Sequence, residues 1–95
     1  MKILAIEKEV TGIKDGQYIP HLKSEALKAW ELYQSEKIRE LYFTKDNFAV
    51  LILECGDEEE CKEILSSLPL VKEGLIKFEI MTLLPYPGFS RLFNL

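Results

Sequence analysis

The chain has 95 residues, 47% of them hydrophobic and 29% charged, and a net charge of −4 at pH 7. Such a length corresponds to one domain with a modest core. The acidic balance, without clustered Lys and Arg, argues against a nucleic-acid surface or an anionic membrane face. The apolar run in MKILAIEKEV is too short for a signal peptide, and no run approaches the roughly 20 residues of a membrane span. We therefore expect a cytoplasmic protein that binds neither nucleic acid nor membrane.

The first predicted elements are a strand, a loop and a long helix. Apolar residues on both faces of residues 2–8 indicate a strand, and two glycines in 9–19 indicate a loop. Pro20 suits the first turn of a helix that runs to about Glu36. Its predicted apolar side comprises Leu22, Ala26, Leu27, Ala29, Trp30 and Tyr33, and its predicted solvent side comprises Glu25, Lys28, Glu31 and Gln34.

Residues 38–44 and 48–54 have the composition of two strands joined as a hairpin. With Asp46 and Asn47 as a two-residue turn, Arg39 would lie opposite Glu54 as a favourable pair of charges across the strands. A three-residue turn would instead shift the pairing by one residue. We prefer the first register and keep the second as the alternative.

A second helix is predicted to begin after Asp57, whose side chain can cap it. The acidic residues 58–60 then occupy the positive first turn, so they are interpreted as a helix start and not as a metal site. The predicted buried stripe is Cys61, Ile64, Leu65 and Leu68. The two cysteines, Cys55 and Cys61, are too few for a disulfide framework, and with one histidine they do not suggest a metal site, so we expect reduced thiols.

Residues 75–84 form the last predicted strand, which completes the order β-α-β-β-α-β. The predicted fold is therefore a single ferredoxin-like α+β domain with a four-stranded antiparallel sheet and both helices on one face. The first and third strands, apolar on both faces, should be central. Because the uncovered face would be apolar, we expect a homodimer with sheets packed face to face. In the tail, residues 85–95, the apolar side chains of Phe89, Leu92, Phe93 and Leu95 are expected to dock on a neighbouring subunit.

Three stretches resemble the muconolactone isomerase-like family of dimeric α/β barrels: WELYQSEKIRELYF, AVLILECGDEEE and LPLVKEGLIKFEIMTLLPYPGFSRLF. The resemblance covers residues 22–93 and implies a dimeric barrel, with larger rings in true isomerases, and a proton shift on a lactone without metal or cofactor. Family members carry a Trp-Arg-His-Leu-Trp-Arg-like run where this chain has residues 38–43. Only Arg39 and Leu41 match it, and Glu40 replaces the histidine. The chain is more similar to the branch that ends in PYPGF and RLF.

The candidate catalytic residues are His21, because histidine is the residue type whose charge ordinarily changes near neutral pH, and Glu40, which could become a general base if a partner sheet encloses it. Arg39 could hold an anionic substrate, or serve only as a structural partner of Glu54. Glu79 could likewise line a site, or pair with Lys77 on an edge strand. The aromatic residues that could line a pocket between helix and sheet are Tyr18, Trp30, Tyr33 and Tyr42, although we expect Trp30 and Tyr33 to belong to the core.

Two functional hypotheses follow from these residues. The first is a cofactor-free isomerase that transfers a proton on a small organic acid or lactone, and a monooxygenase of the same barrel type would need the same pocket. The second is a non-catalytic oligomeric module that binds a small molecule or supports assembly. An enclosed pocket in which His21 or a carboxylate converges with Arg39 would favour the enzyme.

Overall fold

A computed structural model describes residues 1–93, and the predicted docking of Leu95 lies outside them. The strands are β1 (Lys2–Lys8), β2 (Ile38–Phe43), β3 (Ala49–Glu54) and β4 (Lys77–Leu83). The helices are α1 (Asp15–Tyr18), α2 (Leu22–Gln34), α3 (Glu58–Ser66) and α4 (Pro69–Lys72), with 3-10 turns at Ile19–His21 and Gly88–Leu92. The predicted α+β class is confirmed. Two short helices, α1 and α4, were not predicted.

The four strands form one antiparallel sheet in the order β2-β3-β1-β4. The prediction that the first and third strands are central is therefore confirmed. Ile3 lies opposite Leu53 on one side and Thr82 on the other. Alternation along the strands sends Ile3, Ala5 and Leu53 to the face that the helices cover, where all three are fully buried.

Helix α3 closes its part of this face. The Asp57 side chain accepts a hydrogen bond of 2.8 Å from the backbone N–H of Glu60, as expected for the cap. Cys61 and Leu65 pack against the central strands, and Leu68 follows them into the core. Both cysteines are free and buried, and burial raises the pKa of the Cys61 thiol to about 12. The core prediction for this helix is correct.

The β2–β3 hairpin has the three-residue turn, so the preferred two-residue register is wrong. The backbone N–H of Thr44 donates to the carbonyl of Phe48, and Asn47 adopts a positive φ of 66° that closes the turn. A bulge at Arg39 shifts the pairing again near the start of β2. Arg39 therefore does not face Glu54. Its Nε donates to the Glu36 carbonyl at 2.9 Å instead.

Helix α2 is rotated about its axis relative to the prediction. Leu32 is its buried residue, and Trp30 and Tyr33 are about half exposed and stack on each other at 6.0 Å between ring centroids. The core interpretation of this aromatic pair is wrong. Glu25, predicted on the solvent side, is half-buried and faces the sheet side with Ala29.

The opposite face of the sheet carries no helix in residues 1–93. Its centre is apolar. Leu4, Ile6, Val50 and Ile52 are only partly buried there, and Met81 is exposed. Beyond β4, the tail bears side chains that are 67–78% exposed at Tyr86, Phe89, Leu92 and Phe93. Within residues 1–93, no helix is long and apolar enough to cross a membrane.

Candidate functional site

A cleft of about 280 Å³ lies between α2 and the part of the sheet formed by β2 and β3. Its walls are almost entirely apolar and include Leu22, Ala26, Ala29, Leu41, Phe43, Leu51, Leu70, Ile76 and Phe78. The space exists because α2 presents the small side chains of Ala26 and Ala29 to the sheet, which cannot fill it. The size and lining suit a small organic ring.

Two carboxylates are set into this apolar lining. Glu7 stands near the end of β1, and its Oε1 accepts a hydrogen bond of 2.9 Å from the backbone N–H of Ala49. Glu25 projects from α2, and its Oε1 accepts a hydrogen bond of 2.9 Å from the backbone N–H of Leu70. Neither forms an ion pair within residues 1–93. Each carboxylate is thus held in place by one oxygen.

The environment of Glu25 raises the pKa of its carboxyl group. Burial is the largest influence and raises the pKa of this carboxyl, the N–H of Leu70 lowers it, and the negative charge of Glu7 raises it again. Burial acts in this direction because an apolar wall solvates the ionised form poorly. A carboxyl with a raised pKa, half-buried in a cleft, holds a proton more readily than a free carboxyl and can both accept and return one.

A second groove adjoins the cleft and shares several of its walls, including Glu7, Leu22 and Phe43. It runs towards the β2–β3 turn and the segment before α2. The residues that it adds include Tyr18, Phe48, Glu9, Asp15 and Asp46. The groove extends the cleft along the surface and adds three further carboxylates to it.

Comparison with solved structures finds the same arrangement of helices and strands in two enzymes. Muconolactone isomerase is similar over 93% of this chain and 93% of its own, with a TM-score of 0.74 and 16% identity. The chain has the muconolactone isomerase fold. A 5-chloro-2-hydroxyhydroquinone dehydrochlorinase from Burkholderia phenoliruptrix AC1100, in complex with 2,5-dihydroxybenzoquinone, is similar over 93% of this chain and 98% of its own, with a TM-score of 0.70 and 18% identity. No protein-family profile and no curated protein sequence matches the chain.

Two of the residues that the sequence predicted for a functional site lie beside the cleft. Tyr18 lines the adjoining groove. Tyr42 lines the cleft at β2, between Leu41 and Phe43. The Tyr42 side chain points to the open face of the sheet, because successive residues of a strand alternate.

On that open face, the Tyr42 hydroxyl donates to Oε1 of Glu40 at 2.7 Å. This bond and the charge of Glu40 raise the pKa of the Tyr42 hydroxyl. Glu79 lies on the same face at β4, where it pairs with Lys8 at 3.4 Å and not with Lys77. The structure thus brings the side chains of Glu40 and Tyr42 together on the open face of the sheet.

The three remaining predicted residues line neither the cleft nor the adjoining groove. His21 is the N-cap residue of α2, and its carbonyl accepts a hydrogen bond from the Ser24 hydroxyl. Trp30 lies on the outer side of α2, and Arg39 is exposed at the bulge of β2. Within residues 1–93, His21 and Arg39 therefore do not converge on one pocket.

Sequence reasoning missed both carboxylates of the cleft. One signal for Glu25 was present, because it precedes Ala29 and Leu32 by four and seven residues and so shares their side of the helix. The signal for Glu7 was a charge at the end of a strand that is otherwise apolar on both faces. In the described part of the chain, no group of three or more His, Cys, Asp or Glu side chains is arranged to hold a metal ion.

Proposed function

We propose that this protein is an isomerase that moves a proton on a small ring-shaped organic molecule bound between α2 and the sheet. The observation that carries the proposal is Glu25, a half-buried carboxyl whose pKa is raised by an apolar cleft. Two enzymes with the same fold, an isomerase and a dehydrochlorinase, support it, and one of them was solved with 2,5-dihydroxybenzoquinone, a small ring.

In the proposed reaction, Glu25 is the general acid and base. Its ionised form takes a proton from a carbon next to a carbonyl group, and the electron pair of the broken C–H bond forms an enolate. The carboxyl becomes neutral in the same step, so the number of negative charges in the cleft does not change. The protonated carboxyl then returns the proton to another carbon of the same molecule, so no atom is gained or lost. A carboxyl group suffices for this step, which is why we propose no cofactor. Glu25 takes the role predicted for His21 or Glu40, because those residues lie outside the cleft.

The test is exchange of substrate C–H for deuterium in heavy water, followed by NMR across a panel of lactones and cyclic ketones. Replacing Glu25 by Gln should slow exchange by roughly 100- to 10,000-fold, because the general base is lost. Glu31→Gln is the matched control, since Glu31 is an exposed carboxylate on the same helix, and it should exchange at the wild-type rate. Undiminished exchange in Glu25→Gln would refute the assignment, and no exchange with any compound would favour a binding module.

We also propose that the protein assembles as a homodimer through the open face of the sheet. The centre of that face is apolar and half-exposed in the single chain, and covering it would remove this surface from water.

We propose further that the tail docks on another subunit. Its apolar side chains are mostly exposed, and the radius of gyration of 15.8 Å exceeds the roughly 12 Å of a compact chain of this length.

The dimer can be tested at Ile52, which lies on the open face opposite Leu4. Ile52→Asp should convert the dimer to monomer at micromolar concentration, because an unpaired charge would be buried in the interface. Sedimentation velocity measures this, with Lys23→Asp on the outer side of α2 as the control. A wild-type monomer at that concentration would contradict the proposal.

Truncation after Leu84 should lower the assembly size if the tail docks on another subunit. An unchanged size would exclude that role of the tail.

A further inference from the structure

The charged side chains that line the cleft and its adjoining groove all have one sign. Glu7 and Glu25 lie within it, and the adjoining groove adds Glu9, Asp15 and Asp46. Among the residues that line either surface in the described part of the chain, none is a lysine, an arginine or a histidine. A ligand that enters this space therefore meets carboxylates and apolar walls, and no cationic side chain.

The two carboxylates of the cleft are not neutralised by the protein. Each accepts one backbone hydrogen bond, from Ala49 or Leu70, and neither takes part in an ion pair within residues 1–93. Arg39, the residue expected to hold an anion, is exposed at the bulge and donates to the Glu36 carbonyl. An anion in the cleft would bring like charges together away from water, whereas a hydroxyl or ammonium group could donate a hydrogen bond to either carboxylate.

We propose that the cleft selects an apolar ring that carries a hydrogen-bond donor, either a hydroxyl group or a protonated amine, and rejects ring carboxylates. This inference rests on the proposed function for the place of the site and narrows its substrate class. It removes organic acids from the candidate substrates and leaves hydroxylated lactones, other hydroxylated rings and rings that bear a protonated amine. The aromatic ring of Phe43 at the mouth adds a face on which a cation is also favoured.

The experiment uses three probes of one shape at pH 7: benzylamine, benzyl alcohol and benzoate. Binding to the full chain is measured by NMR titration, with the amide signals of Ala29, Leu51 and Leu70 reporting on the cleft. Benzylamine and benzyl alcohol should shift these signals at concentrations at least tenfold lower than benzoate. Benzoate binding as tightly as either, or no binding by any probe, would overturn the proposal.

Glu25→Gln separates charge from shape, because glutamine has nearly the same volume without the negative charge. In this variant the preference for benzylamine over benzoate should fall at least threefold, and Glu31→Gln should keep it. An unchanged preference in Glu25→Gln would show that Glu25 does not help the cleft to distinguish benzylamine from benzoate, which would contradict this part of the proposal. These titrations require no turnover, so a failure to exchange protons would refute the proposed reaction and leave the ligand class standing.

Discussion

Helices α2 and α3 lie on the same face of one sheet and pack in opposite ways. Helix α3 buries Cys61 and Leu65 against the central strands, and the groove of about 280 Å³ on its β4 side is more open than the cleft and is lined in part by Lys62, Ser66 and Lys77. Helix α2 is four residues longer, yet Leu32 is its only buried residue, and a cleft remains between the helix and the sheet. The difference comes from the facing side chains. Helix α3 presents Cys61 and Leu65 to the central strands, while along the cleft α2 presents the small side chains of Ala26 and Ala29 together with Glu25.

Incomplete packing under α2 therefore marks the part of the molecule that can accept a ligand. We call each helix, with the part of the sheet that it covers, the α3 half and the α2 half. The α3 half stabilises the fold, and the α2 half supplies a cavity together with the two carboxylates that line it. If this division is correct, the two halves should respond differently to the same kind of substitution.

The largest expected effect is a loss of stability in the α3 half. Leu65 is 4% exposed, and Leu65→Ala should lower the free energy of unfolding by about 2–5 kcal/mol, because it leaves a cavity in packed surroundings. Leu22 is 51% exposed at the mouth of the cleft, and Leu22→Ala should cost less than about 1 kcal/mol. Urea denaturation measures both. Equal losses would mean that the two halves are packed alike.

The sequence predicted the α3 half well because local signals agree there. The Asp57 cap, the acidic first turn and the spacing of Cys61, Leu65 and Leu68 all place the same side of the helix against the sheet. In α2 the largest apolar side chains, Trp30 among them, lie on the outer side. Helical spacing shows that apolar residues recur along one side of the helix, but which side faces the sheet depends on contacts made by the rest of the chain. The cleft under α2 could therefore not be predicted from the sequence.

The hairpin illustrates the same limit on a smaller scale. The sequence located both strands and the turn to within one residue, which is enough to define the fold. The side-chain partners depended on whether the turn holds two or three residues, and composition does not decide this. A change of one residue moved Arg39 away from Glu54 and removed a predicted ion pair.

A smaller effect is expected from filling the cleft. Ala26→Leu should weaken binding of benzylamine at least tenfold, or about 1.4 kcal/mol, because the added side chain occupies the ligand space. Stability should change by no more than about 0.5 kcal/mol, since Ala26 is exposed to the cleft and not packed in the core. The control is Lys23→Leu on the outer side of the same helix. Unaltered binding in Ala26→Leu would place the ligand elsewhere.

The smallest expected effect is the pH dependence that Glu25 contributes to stability. Its folded pKa lies above the unfolded value, so the folded state binds more protons in the window between the two. The contribution is fully present below the unfolded pKa near 4.5 and is lost as pH rises through the folded pKa. The difference in stability between wild type and Glu25→Gln should therefore shift against wild type from pH 4 to pH 7. Denaturation at both pH values tests the sign, and a shift in favour of wild type would mean that the Leu70 hydrogen bond outweighs burial.

The position of β1 has a consequence for how the chain folds. Ile3 pairs with Leu53, 50 positions later, and with Thr82, 79 positions later. Pairing strands this distant in sequence closes large loops, and the chain entropy lost in closing them must be overcome before the contacts stabilise the fold. This slows folding. Strand β1 is thus apolar on both faces and gains its second neighbour only after β4 has been made. We expect a chain truncated before Lys77, which lacks β4, to be prone to aggregation, because one edge of β1 then has no partner.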